Sequence, residues 1–128
     1  MNSRVRILLA DDHGEFRRAI RLFLKKYKAL EVVGEASDGT DAVRQAHSLH
    51  PDVVLMDINM PGCNGFDAAK DIKRSLPDVK IVFLTMYADE RYRKLASETM
   101  ADGFINKADL NMNIFQSLSN KMTSRYIM

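Results

Sequence analysis

Val53-Val54-Leu55-Met56 is a short apolar run that stops on a carboxylate, Asp57, and is followed by Ile58-Asn59-Met60-Pro61-Gly62. A run this short and β-branched reads as a strand buried on both faces, the kind found inside a parallel sheet. The same design recurs along the chain. Residues 4–10 (RVRILLA), 31–36 (EVVGEA), 80–84 (KIVFL) and 103–106 (GFIN) read as four more strands.

Helical periodicity fills the intervals. Phe16, Ala19, Ile20, Phe23 and Leu24 make one apolar stripe, Ala42, Val43, Ala46 and Leu49 a second, and Phe66, Ala69, Ile72 and Leu76 a third. Tyr92, Leu95, Ala96 and Met100 give a weaker fourth, and Leu110, Ile114, Phe115, Leu118 and Met122 a fifth. Asp38-Gly39 and Asn64-Gly65 mark helix entries, and Pro51 and Pro77 close helices ahead of the third and fourth strands. Strands alternating with helices predict an α/β fold, a parallel sheet with helices on both faces. Right-handed crossovers with one reversal of winding direction place strand one beside strand three, where open sheets of this kind bind ligands.

A chain of 128 residues, 46% hydrophobic and 28% charged, suits one domain with a real core. Residues 1–122 are expected to form it, with 123–128 a loosely specified tail. No repeat or linker suggests a second domain, no apolar run is long enough for a membrane span, and the N-terminus enters a strand without a secretory leader, so a cytoplasmic protein is expected. The single cysteine, Cys63, excludes an internal disulfide, and no Cys/His cluster has zinc spacing. A net charge of +2 is too small to argue for nucleic acid. Arg17, Arg18, Arg21, Lys25, Lys26 and Lys28 are expected to be the solvated face of the first helix, with a kinase-docking role as the alternative.

Asp11, Asp12, Asp57, Thr85 and Lys107 each sit where a strand-like run stops. In a parallel sheet those ends share one edge, so three carboxylates, a hydroxyl and an ammonium are expected to converge. Two unit charges about 4 Å apart repel by roughly 4 kcal/mol at an effective dielectric near 20, so such a cluster calls for a cation or a shared proton. Hard oxygen donors suit Mg²⁺, commonly held by one or two carboxylates together with phosphate oxygens.

The stretches Leu9-Ala10-Asp11-Asp12, Val54 to Gly62, Leu84-Thr85 and Gly103-Phe104-Ile105-Asn106-Lys107 together resemble the receiver domain of two-component response regulators, over residues 4–122. The resemblance implies a flavodoxin-like sheet of order 2-1-3-4-5. It further implies that Asp57 accepts a phosphoryl group from a histidine kinase, and that Asp12, Asp57 and the Asn59 backbone carbonyl hold Mg²⁺, with Asp11 acting through a water. Lys107 would pair with Asp57 or the phosphoryl oxygens, Thr85 would be the switch hydroxyl, and Phe104 the coupled aromatic. The surface of helix four, strand five and helix five would then carry output, to a downstream effector or through a homodimer.

Such a protein catalyses only its own phosphorylation and dephosphorylation. Ala10 to His13, Val32 to Ala36 with Asp38-Gly39, and Leu84 to Met86 look most like receivers joined to a helix-turn-helix DNA-binding domain. The alternatives are a stand-alone receiver that acts by docking and a magnesium-dependent phosphatase. The phosphatase would need an acid two positions past its nucleophile, where this chain has Asn59. Direct nucleic-acid binding by these residues is not expected.

Plainer roles compete at several positions. Asp11 and Asp12 would serve as helix caps, and Phe104 as core packing. His13 is expected to be a helix-entry residue rather than a ligand, since imidazole suits transition metals better than magnesium. His47 and His50 are expected on the surface of the second helix. Met86 and Tyr87 are expected to narrow access to Asp57. Met100 replaces a frequent glycine and Ala108 a frequent proline, so a trans peptide is expected after Lys107.

Overall fold

The computed structural model of the chain describes residues 4–60, 64–86, 94, 95, 98 and 101–107. Among them, strands β1 (Val5–Ala10), β2 (Leu30–Ala36), β3 (Val53–Asp57), β4 (Lys80–Thr85) and β5 (Gly103–Asn106) alternate with helices α1 (Gly14–Leu24), α2 (Gly39–Leu49) and α3 (Gly65–Ser75). The five strands form one parallel sheet in the order β2-β1-β3-β4-β5. Each strand begins and ends within one residue of its expected bounds. The expected fifth helix (110–122), the 123–128 tail, Cys63, Tyr87, Met100 and Ala108 lie outside the described residues.

Side chains alternate across the sheet, as the pleat requires, except at β2, where a register shift opposite Ile7 and Leu8 puts Leu30 on one face and Ala36 on the other. Leu8, Ala10, Val54, Met56, Ile81, Phe83 and Phe104 pack on one face with Ala42 and Ala46 of α2 and Ala68, Ala69 and Ile72 of α3. Ile7, Leu9, Val53, Leu55, Val82, Leu84 and Ile105 pack on the other with Ile20 and Leu24 of α1. Both faces are therefore covered. The small alanines of α2 and α3 let those helices sit close to the sheet, and Phe66 meets Phe83 edge-on, with ring centroids 5.1 Å apart.

The helix entries follow the expected turn chemistry. Asp38 accepts from the Asp41 N–H and Asn64 from the Asp67 N–H, each satisfying a free amide of a first helical turn. The gap between β3 and α3 is also tight, because Gly65 donates its N–H to the Ile58 carbonyl. A Cβ at Gly65 would fall 2.5 Å from the Asp57 carbonyl oxygen and 2.8 Å from Ile58 Cα, so only glycine lets α3 start so close to β3.

Four expectations need correction. β2 is a half-exposed edge strand, buried only at Leu30 and Ala36, because it has a neighbour on one side alone. Ala19 is exposed, since α1 meets the sheet along the narrower line of Ile20 and Leu24, flanked by Phe16 and Phe23. Leu95 is 41% exposed and adds nothing to the core. His50 is exposed but is not part of α2: it terminates the helix in the left-handed region, with φ 50° and ψ 61°, where its N–H still reaches the Ala46 carbonyl. No helix among the described residues is long and apolar enough to cross a membrane.

Candidate functional site

Strand alternation already aims the key side chains. Asp11 continues the parity of Ile7 and Leu9, Asp57 that of Val53 and Leu55, and Lys107 that of Ile105, so all three project on the side of the sheet that carries α1. Thr85 follows Ile81 and Phe83 and takes the opposite parity. Register completes the placement, because Ala10 pairs with Met56 and sets Asp11 beside Asp57.

The side chains meet as this geometry requires. Lys107 Nζ lies 2.6 Å from Asp11 Oδ2 and 3.4 Å from Asp57 Oδ2, with its own side chain only 6% exposed. Asp57 Oδ1 accepts a hydrogen bond of 3.2 Å from the Asn59 N–H. Asp11, Asp57 and Thr85 are the buried polar residues of the described chain. Asp12 stands at the mouth, and one donor atom from each of Asp11, Asp12, His13 and Asp57 lies within 4.8 Å of the others.

One buried ammonium therefore faces two buried carboxylates, with a third, Asp12, at the mouth. Burial pushes the Asp57 carboxyl above the ordinary carboxylate range, and the neighbouring Asp11 charge pushes it further, against the pull of Lys107 and the Asn59 N–H. Asp11 Oδ2 touches the ammonium yet accepts no hydrogen bond of ordinary geometry. The site thus carries surplus negative charge in an oxygen-rich, partly desolvated crevice, which a hard divalent cation would relieve. The donor set fits Mg²⁺.

His13 is the N-cap residue of α1, at the helix entry as expected, and its side chain makes no capping bond. Asp11 and Asp12 do not cap the helix; the Asp11 carboxylate accepts from the His13 N–H instead. The His13 ring is nevertheless closer to the acids than a plain helix-entry role requires, with Nδ1 3.1 Å from both Asp11 Oδ1 and Asp12 Oδ1. Phe104 is 3% exposed and packs in the core with Phe83, the core role weighed for it above. Met86 is 62% exposed.

Two features of the site had no signal in the sequence. The basic side of α1 is not simply a solvated face: Arg17 and Arg21 both bind Glu35 of β2, at 3.1 and 2.6 Å, and Arg17 also donates to the Asp11 carbonyl. Arg18, Lys25, Lys26 and Lys28 are exposed on that stretch. Phe16 places its ring 4.3 Å from Lys107 Nζ. Partners that meet only across the packing of helix on sheet leave no local pattern to find.

A family model described as the response regulator receiver domain matches residues 7–118. The chain is 37% identical to the response regulator UvrY of Escherichia coli over 124 residues, which is 96% of this chain and 57% of that protein. It is 48% identical to the transcriptional regulatory protein LiaR of Bacillus subtilis over 86 residues, covering 67% of this chain and 41% of LiaR. The chain thus spans about half the length of these relatives. Among solved structures, a LuxR-family two-component response regulator from Aurantimonas superposes with a TM-score of 0.89 at 29% identity, covering 98% of this chain and 90% of that one. The isolated receiver domain of RcsB from Salmonella, solved in the presence of the phosphomimetic BeF3⁻, superposes at 0.87 with 25% identity and covers 98% of this chain and 94% of that one.

Proposed function

Because this chain belongs to the response regulator receiver family, we propose that Asp57 is the phosphoacceptor and that Asp11, Asp12 and Lys107 serve its phosphorylation. The observation that carries this reading is the Lys107 ammonium lodged between two buried carboxylates, 2.6 Å from Asp11 and 3.4 Å from Asp57, at the carboxyl edge of the sheet. A carboxylate in that position is a nucleophile held by charge rather than activated by a base.

Asp57 attacks the phosphorus of a phosphohistidine on a kinase, or of a small phosphoryl donor. An oxygen–phosphorus bond forms as the bond to the donor breaks: a phosphohistidine protonated on its other ring nitrogen leaves as neutral imidazole, and acetyl phosphate leaves acetate. Lys107 balances the developing charge on the phosphoryl oxygens, and the Asn59 N–H holds the attacking carboxylate in line. Asp12, Asp57 and the Asn59 carbonyl would hold Mg²⁺, with Asp11 placed to act through a water. That ion supplies neutralisation of the oxygens on the transferring group.

With its phosphoryl group Asp57 carries close to two negative charges where the carboxylate carried one, and gains several strong acceptors, at a site already short of cations. Thr85, fully buried at the end of β4, would have to turn toward the phosphoryl oxygens to serve as the switch hydroxyl, and Phe104 on β5 is the aromatic coupled to it. The receiver unit occupies residues 1–122 with a tail at 123–128. It signals to a DNA-binding effector through the surface that includes β5, either within a longer transcription regulator or by docking, and forms a homodimer through the same surface. The setting is the cytoplasm, and the only chemistry catalysed is phosphorylation and dephosphorylation of the chain itself.

Intact-mass measurement after incubation with acetyl phosphate and Mg²⁺ tests this directly. One added phosphoryl group on the native chain, absent from Asp57→Asn and absent after chelation of the metal, is the expected result. No added mass on the native chain, or equal addition to the mutant, overturns the proposal.

A further inference from the structure

Lys107 is a long, flexible side chain asked to keep its charge at one point. Two carboxylates attract it, but attraction alone leaves its four methylenes free to choose a path. On its remaining side the structure supplies a flat boundary: the Phe16 ring, in the first turn of α1, with its centroid 4.3 Å from Nζ. Phe16 is half-buried and shares a narrow crevice with Leu9, Asp11, Ile20, Leu55 and Leu84. The turn itself is anchored, since the next residue, Arg17, donates to the Asp11 carbonyl and to Glu35.

An ammonium over an aromatic face is attracted by the ring quadrupole, most strongly when water is excluded, and here the lysine side chain is 6% exposed. From these contacts we infer that Phe16 is a positioning residue for Lys107: its ring fixes the ammonium over the Asp11–Asp57 pair before a phosphoryl donor arrives. The benefit is preorganisation. A cation already in place where charge develops lowers the barrier without reorganising at the moment of reaction. The inference rests on the function proposed above and adds a residue to it.

The test compares Phe16→Leu and Phe16→Met, which keep apolar volume but remove the ring, with Phe16→Tyr, which keeps it. Phosphorylation of Asp57 by acetyl phosphate with Mg²⁺ is expected to slow roughly fivefold in the Leu and Met variants and to stay at the native rate in the Tyr variant. In a Lys107→Ala background the Phe16→Leu change should no longer matter. By NMR, the Lys107 methylene protons should be shifted upfield by the ring in the native chain and the Tyr variant, and return toward ordinary positions in the Leu variant.

Native rates in both Leu and Met variants overturn the inference alone. So does an equal loss with and without Lys107, which would make the ring a packing element only. A native chain that accepts no phosphoryl group overturns the proposed function and this inference with it.

Discussion

The two edges of the sheet treat their acids in opposite ways. At the amino edge, Asp102 Oδ2 accepts from Lys73 Nζ and from the Ile81 N–H, both at 2.8 Å, with Lys80 3.8 Å from its other oxygen. Asp52 likewise accepts from the Arg6 N–H, while the Arg6 guanidinium binds the Leu49 and His50 carbonyls at the end of α2. At the carboxyl edge, Asp11 and Asp57 share one lysine, with a third carboxylate, Asp12, beside them. Acids matched to donors tie elements together. Acids left in surplus leave the crevice with more negative charge than its lysine balances.

The comparison predicts stability changes of opposite sign. Asp102→Ala strands Lys73 and the Ile81 amide without their acceptor and should destabilise the fold by about 3 kcal/mol in urea unfolding. A loss under about 1 kcal/mol would mean that the amino edge is not the clamp described. Gly65→Ala pushes a Cβ into the β3 backbone at the Asp57 carbonyl, and we expect about 2 kcal/mol of lost stability together with slower phosphorylation. Normal phosphorylation in that variant would show that the β3 to α3 gap yields without moving Asp57.

Asp57→Asn should do the reverse and stabilise the metal-free protein, by about 1 kcal/mol or more at neutral pH. The pH dependence follows from the raised Asp57 pKa. A carboxyl that holds its proton more tightly when folded makes the native state lose stability as pH climbs from the ordinary 3.8 through the raised value, and the penalty is complete above it. The advantage of Asp57→Asn should therefore vanish in acid, grow through that window and shrink again when Mg²⁺ is added. An advantage independent of pH would remove the charge explanation.

The smallest expected effect is at His50. Replacing it with glycine relieves a side chain held at φ 50° and should add about 0.5 kcal/mol, measured by thermal unfolding, with phosphorylation unchanged. A stabilised but inactive variant would show that the two edges are coupled.

Much of this was readable along the chain. Strand positions followed from apolar runs because a strand buried on both faces has no polar alternation to hide it, and Asp38 and Asn64 announced their helices because a cap acts within three residues. The half-exposed β2 and the exposed Ala19 and Leu95 were not readable in that way. Valine, alanine and leucine suit both core and surface, and only the neighbours present decide which they become.

Residue order alone determined that Asp11, Asp57 and Lys107 would come together, because parallel strands share one edge and side chains alternate with a period of two, so chain position sets both level and side. Tertiary packing alone decided what surrounds them. Arg17 and Arg21 were drawn to Glu35, the His13 ring came between Asp11 and Asp12, and Phe16 came to lie against Lys107. Such contacts depend on how a helix rests on a sheet, where distances of a few ångströms join residues that no sequence interval relates.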